Sequence, residues 1–172
     1  GSNGQLGSEI KVLAKNLKDN FYFTDYDNLD ITKYDEVSQF VHKNDIHVIL
    51  NCAAYTAVDK AEEEIDNANT INHLAVAHMA TIAKENGIQL IHVSTDYVFD
   101  GTNCTPYVEE DIPNPQNSYG KSKLLGEQAI LKATLPNSFI IRTSWVYSSF
   151  GANFVKTMLR LGKEREALGV IS

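Results

Sequence analysis

The sequence predicts an α/β fold built on a doubly wound parallel sheet, and three observations carry that expectation. Short β-branched runs alternate with longer helical stretches, the pattern of successive βαβ units. Residues 48–54 (VILNCAA) are apolar at nearly every position, as strands buried on both faces are. Gly1, Gly4 and Gly7 stand directly ahead of a helical stretch, the spacing of a glycine-rich turn that opens a helix.

Taken in order, residues 5–17 form the first helix, residues 21–25 (FYFTD) the first short strand and residues 33–43 the second helix. Residues 48–54 are the second strand. Residues 59–86 make the longest helix, because Ala61, Ile65, Ala68, Asn72, Ala75, Met79 and Ile82 recur at steps of three and four and so share one face. Asn86-Gly87 is its stop. Residues 89–99 (QLIHVSTDYVF) form the third strand, and residues 101–117 the longest irregular stretch, of a length that is often functional. The helix over 118–133 follows Pro113 and Pro115 and is capped by Asn117 or Ser118. Residues 138–147 (SFIIRTSWVY) form a fourth strand, and 167–172 (ALGVIS) a fifth that breaks off. A glycine-rich turn normally follows a strand, so the chain is expected to be a fragment whose first strand would precede Gly1.

Composition narrows the partners. The 172 residues carry 15 Lys+Arg against 22 Asp+Glu, a formal net charge of −7, with no basic cluster to neutralise phosphates, which argues against nucleic acid. No apolar run approaches the ~18 residues that a membrane helix needs, so no membrane partner is expected. Cys52 and Cys104 lie far apart and read as reduced, buried thiols of a cytoplasmic protein. His73 and His78 are i,i+5 and do not share a face well, and His42, His47 and His92 have no Cys or carboxylate cluster beside them, so no metal site is assigned.

The chemistry concentrates in four places. In the glycine-rich turn, the backbone can approach a pyrophosphate while the helix N-terminus offers unpaired N–H groups. Asp25 ends the strand that follows, where a carboxylate would accept from a ribose 2′-OH, and Asp30 and Ile31 could border an adenine. Tyr119 and Lys123 are i,i+4 and share a helix face. An ammonium beside a phenol favours the phenolate and pulls its pKa down, which suits a proton donor to a carbonyl at neutral pH. Thr95 stands at the carboxyl end of a buried strand, where open α/β sheets bind ligands. Asn72 is a polar side chain on an apolar stripe. It either makes a structural hydrogen bond within its helix or a water-mediated link towards Lys123.

These segments resemble the extended short-chain dehydrogenase/reductase family, and within it the dTDP-4-dehydrorhamnose reductases. The matching stretches are GSNGQLG (1–7), LDIT (29–32), NCAAYTAVDKAE (51–62), VSTDYVFDG (93–101), YGKSKLLGE (119–127), RTSWVY (142–147) and NFVKTML (153–159). YxxxK marks only the superfamily, whereas STDYVFDG with NxAAYTAVDKAE is far more specific. The resemblance implies a Rossmann-type NAD(P)-binding domain over 1–172, without its first strand and without the C-terminal substrate lobe. It implies NAD(P)H-dependent reduction of the 4-keto group of dTDP-4-dehydro-L-rhamnose to dTDP-L-rhamnose, a nucleotide sugar for cell-wall polysaccharide. Tyr119, Lys123 and Thr95 would be catalytic: Tyr119 as proton donor, Lys123 holding the ribose, Thr95 bonding the substrate oxygen.

By the same resemblance, Gly1, Gly4, Gln5 and Leu6 would meet the pyrophosphate, and Ala54, Tyr55, Thr56 and Val93 would line the cofactor. Asp96 and Trp145 would touch the sugar. The family uses either nicotinamide cofactor, and the carboxylates Asp25, Asp27 and Asp30 favour NADH. Some members bridge a homodimer with Mg²⁺ through glutamates, one of them at the position of Glu9, but the other ligands would lie in the missing part, so no metal is assigned. Related dehydratases carry Thr-Asp-Glu where this chain has Thr95-Asp96-Tyr97, which disfavours elimination. The non-catalytic regulatory subunit of methionine adenosyltransferase also resembles these reductases and is the rival reading from another class.

Overall fold

The computed structural model describes residues 1–167 and 169. In chain order the main elements are α1 (Gln5–Ala14), α2 (Tyr34–Lys43), β1 (Val48–Asn51), α3 (Ile65–Asn69), α4 (Ala75–Asn86), β2 (Gln89–Thr95), α5 (Ser118–Ala133), β3 (Phe139–Thr143) and α6 (Phe154–Glu164). Two compact units hold them: Gly1 with residues 24–144, and residues 2–23 with those from 145 onward.

In the first unit the strands run parallel in the order β1-β2-β3, with Asn51 beside His92 and Thr95 beside Thr143 in register. Period-two alternation puts Leu90, His92 and Ser94 on one face of β2, all buried. The row thus turns from apolar to polar toward the carboxyl end of the strand, which is where a ligand crevice belongs. Behind it Val37 and Val41 of α2, Val76, Met79 and Ile82 of α4, and Ile130 of α5 close the main core. Each fully buried side chain of this kind contributes on the order of 1.5–3 kcal/mol. Helix α2 is matched to its dipole, with Asp35 and Glu36 in its first turn and His42 and Lys43 in its last. Gly87 ends α4 in the left-handed region at φ +64°, and Asn117, one of the two expected caps, accepts from the Gly120 N–H at 2.7 Å.

The expected helix over 59–86 is not continuous. A 3₁₀ turn over Asp59–Glu62 precedes α3, and a π-turn over Thr70–Leu74 joins α3 to α4. The buried face survives these breaks except at Ile65, which is exposed. Residues 21–25 form no strand, since a strand exists only as a paired element and no described residue builds a ladder with them. The third strand stops at Thr95, where its Oγ1 accepts from the Tyr97 N–H at 3.2 Å and the chain turns into a 3₁₀ segment over Asp96–Val98. The fourth strand is shorter than expected and the chain reaches φ +53° at Trp145. Most of the fifth expected strand, 167–172, lies outside the described residues. Both cysteines are free as expected, but Cys52 is only half-buried and Cys104 is exposed.

The second unit is small. Asn153 caps α6 by accepting from the Lys156 N–H at 3.0 Å, and its Nδ2 donates to Gln5 Oε1 of α1 at 2.9 Å. Ser148 Oγ donates to Glu9 Oε1 at 2.6 Å. Helix α6 was absent from the sequence expectation, although Asn153 followed by Phe154, Met158 and Leu161 is a capped i, i+4, i+7 pattern.

Candidate active site

Tyr119 occupies the first turn of α5, and its ring packs with Ala61 and Ala68 and with Tyr55 and Val58. Its place is set by close approach. A Cβ on the next residue, Gly120, would lie 2.2 Å from the Tyr97 carbonyl oxygen, so only glycine lets α5 sit so near the end of β2. The rings of Tyr97 and Tyr119 meet edge-on with centroids 5.6 Å apart. The Tyr119 hydroxyl lies close enough to the Thr95 side chain to be influenced by it, and Thr95 Oγ1 donates to Asp96 at 3.1 Å. Glu62 ties down the same end of α5, accepting from the Ser118 N–H at 2.7 Å and from its hydroxyl at 2.8 Å.

Lys123, one turn further on, is 1% exposed. Its Nζ donates to the Val93 carbonyl at 2.7 Å and lies 3.3 Å from His92 Nε2. Burial pulls its pKa down to about 8, against the raising effect of Glu127. Tyr119 departs from the sequence expectation. Its pKa is raised, chiefly by burial and further by Asp96 and Tyr97, while Thr95 acts the other way. Lys123 does not lower it here, because its amino group is committed to the Val93 carbonyl rather than to the phenol.

Asn72 resolves differently from either alternative. Its Oδ1 accepts from the Tyr55 N–H at 2.9 Å, and its Nδ2 donates to the Tyr55 carbonyl at 3.0 Å and to Ser122 Oγ at 3.0 Å. Ser122 passes its own proton to the Tyr119 carbonyl at 2.7 Å. One buried amide therefore joins the loop after β1 to α5. It is neither a bond within its own helix nor a link to Lys123. The π-turn around it brings the Asn72 carbonyl to where a Cβ on Gly126 would lie 2.3 Å away, a second tight approach onto α5.

The structure thus gathers Val93, Thr95, Asp96, Tyr119 and Lys123, with Tyr55 fixed nearby by Asn72. Ala54 is half-buried and Thr56 exposed in the same loop. Gly1 lies against the end of β1, where a Cβ would come within 2.5 Å of the Ala53 nitrogen. Asp25 accepts from the Tyr26 N–H at 2.9 Å, and Asp30 accepts from Thr32 N–H and Oγ1, which holds its pKa below the usual carboxylate value. Ile31 packs against the main core. Gly4, Gln5, Leu6 and Trp145 belong to the second unit. There Gly4 heads α1 without a side-chain cap, and Trp145 is exposed with its ring edge-on to Phe154 at 5.1 Å.

Matched against family models, residues 1–172 correspond throughout to the RmlD substrate binding domain. The chain belongs to that family. A dTDP-4-dehydrorhamnose reductase of Aggregatibacter actinomycetemcomitans is 44% identical over 173 residues, covering 100% of this chain and 58% of the relative. A crystal structure of such a reductase from Clostridium acetobutylicum superposes with a TM-score of 0.93 at 45% identity, over 98% of this chain and 59% of that one. A third, from Bacillus anthracis in complex with NADP, gives 0.89 at 45% identity, over 96% and 59%. The chain therefore spans somewhat over half the length of these relatives. The fold is the Rossmann-type α/β sheet of the family.

Several residues escaped sequence reasoning. Glu127, 1% exposed, accepts from Ser94 Oγ at 2.5 Å and from Arg142 at 3.1 and 2.7 Å. Its place one turn after Lys123 was the available signal. His92 was set aside for want of a metal cluster, yet it lies against Lys123 and Asn51. Its alternation with Leu90 and Ser94 marked it as buried. Among the described residues no group of three His, Cys, Asp or Glu could hold a metal ion, and no helix is long and apolar enough to cross a membrane.

Proposed function

We propose that residues 1–172 are the NAD(P)-binding and proton-donating part of an oxidoreductase that reduces the 4-keto group of a dTDP-linked sugar, dTDP-4-dehydro-L-rhamnose. The observation that carries the reading is the placement of Tyr119 beside Thr95 at the carboxyl end of β2, with Lys123 buried one turn behind. The relatives named dTDP-4-dehydrorhamnose reductase support the same substrate, and the Bacillus anthracis structure with NADP supports a nicotinamide cofactor.

The residues present fit such a cofactor. Gly1 admits no side chain against Cys52 and Ala53, and α1 begins without a side-chain cap, leaving N–H groups of residues 5 and 6 for phosphate oxygens. Such a cofactor, when bound, would supply a hydride. Thr95 and Tyr119 orient the sugar's carbonyl oxygen, and the Tyr119 hydroxyl delivers the proton that turns it into an alcohol. A pKa held up by burial keeps that proton on the phenol until the oxygen becomes basic. Lys123 holds the ribose, Tyr55 borders the nicotinamide, and Asp96 and Trp145 meet the sugar. Asp25, Asp27 and Asp30 repel a 2′-phosphate, so NADH is the preferred cofactor. The enzyme works in the cytoplasm and can form a homodimer.

The test is oxidation of NADH and of NADPH by the full-length protein given dTDP-4-dehydro-L-rhamnose. Sugar-dependent oxidation supports the reading, and cofactor binding without turnover supports the non-catalytic rival.

A further inference from the structure

Hydrogen-bond accounting around Lys123 fixes more than its position. Asn51, at the end of β1, is 4% exposed, and its Oδ1 accepts from the Ala53 N–H at 3.0 Å. That leaves its Nδ2 facing His92 Nδ1 at 3.1 Å as a donor. A neutral imidazole carries one N–H, so a ring that accepts at Nδ1 must bear its proton on Nε2. His92 is fully buried, and that burial holds it neutral, with its pKa down at about 3. The Nε2–H then points at Lys123 Nζ, 3.3 Å away. An ammonium has no lone pair to receive it, whereas a neutral amine does and still donates to the Val93 carbonyl.

We propose that Asn51 and His92 form a tautomer lock that offers Lys123 a donor instead of an acceptor, making His92 a positioning residue that favours the neutral lysine. The charged and titratable groups around Lys123 can be named. Glu127 on α5 opposes the lock by favouring the ammonium, but Arg142 of β3 holds both of its oxygens. Tyr119 lies one turn back on the same helix, and His92 itself comes from β2. Protonated Lys123 must turn from Nε2–H or break the Asn51–His92 bond. The lock therefore couples the lysine's charge to its rotamer. This deepens the proposed function, whose lysine it concerns, but the arrangement can be read without any turnover.

The experiment uses the full-length protein with its histidine rings labelled with ¹⁵N. Long-range ¹H–¹⁵N correlation distinguishes a bare ring nitrogen from one bearing hydrogen, and His92 is assigned by its loss in His92→Gln. The expected result is a bare Nδ1 and a protonated Nε2 at neutral pH. A proton on Nδ1, or on both nitrogens, overturns the lock. A second reading follows Lys123 through its ¹³Cε shift, assigned with Lys123→Met. In Asn51→Asp the new carboxylate draws the ring proton to Nδ1, Nε2 becomes an acceptor, and the Lys123 protonation constant should rise about tenfold, one pKa unit. That rise should mostly vanish when His92→Leu is added. An equal rise with and without His92 would assign it to the added charge alone and overturn the proposal. If the variants do not fold, the ring-nitrogen pattern of the unmutated protein decides.

Discussion

Gly120→Ala sets a helix-propensity rule against a packing constraint, and the two predict opposite signs. In an ordinary helix interior, replacing glycine by alanine stabilises by roughly 0.5–1 kcal/mol, because glycine loses more backbone entropy on folding. At Gly120 the added methyl would stand 2.2 Å from the Tyr97 carbonyl oxygen and 3.1 Å from Pro115 Cβ. Carbon–oxygen contacts settle near 3.3 Å or more, so α5 and the Tyr97 turn must part by about 1 Å. The atom opposed is backbone at the end of a buried strand, and overpacking of this kind costs typically 1–3 kcal/mol. The packing cost wins, for a net loss of up to about 2 kcal/mol. The same shift moves Tyr119 away from Thr95, and a misplacement of about 1 Å can lower turnover by about 10²-fold. Gly162 in α6 is the control, since a Cβ there meets nothing within 4 Å. Urea unfolding of the full-length protein should show the midpoint falling for Gly120→Ala and holding or rising for Gly162→Ala. An unchanged midpoint and unchanged turnover in Gly120→Ala would refute the argument from close approach.

Three further outcomes follow from the same site. Tyr119→Phe should cut kcat by a factor on the order of 10²–10⁴ while leaving cofactor affinity nearly intact, as stopped-flow turnover and fluorescence titration would show. In kcat/KM comparisons NADH should outperform NADPH, although Lys33 already reaches Asp30 electrostatically and a clear NADPH preference would sink the argument from Asp25. His92 is neutral in the folded protein down to a pKa of about 3 but titrates near 6.5 when unfolded. Its contribution is thus fully present above pH 6.5 and is lost as pH falls toward 3, at up to about 1.4 kcal/mol per pH unit. Acid unfolding of His92→Gln should be correspondingly less steep.

What the sequence made legible was whatever a local pattern encodes. Helix α5 was delimited residue for residue because Asn117 caps it and prolines precede it, and Tyr119 with Lys123 followed from the i,i+4 spacing. The buried face from Ala61 to Ile82 was visible as well, but periodicity does not register a single extra residue in a turn. The π-turn at Asn72 therefore passed unseen, along with the cross-element bonds to Tyr55 and Ser122 that explain it. Phe21 to Asp25 has the composition of a strand, yet pairing, not composition, makes one. His92, Glu127 and Arg142 were invisible as a site because their partners come from distant parts of the chain. A buried polar residue on an apolar strand signals that a partner exists without saying which.

The central claim is that Tyr119 and its neighbours serve hydride reduction of a dTDP-linked 4-keto sugar. The most direct measurement is isotope transfer by the full-length protein, using nicotinamide cofactor deuterated at its transferable position. The account predicts dTDP-L-rhamnose carrying deuterium at C4, formed by the unmutated protein and reduced by at least about 10²-fold with Tyr119→Phe. Tight cofactor binding with no deuterium reaching the sugar, or transfer that survives Tyr119→Phe at full rate, would contradict it.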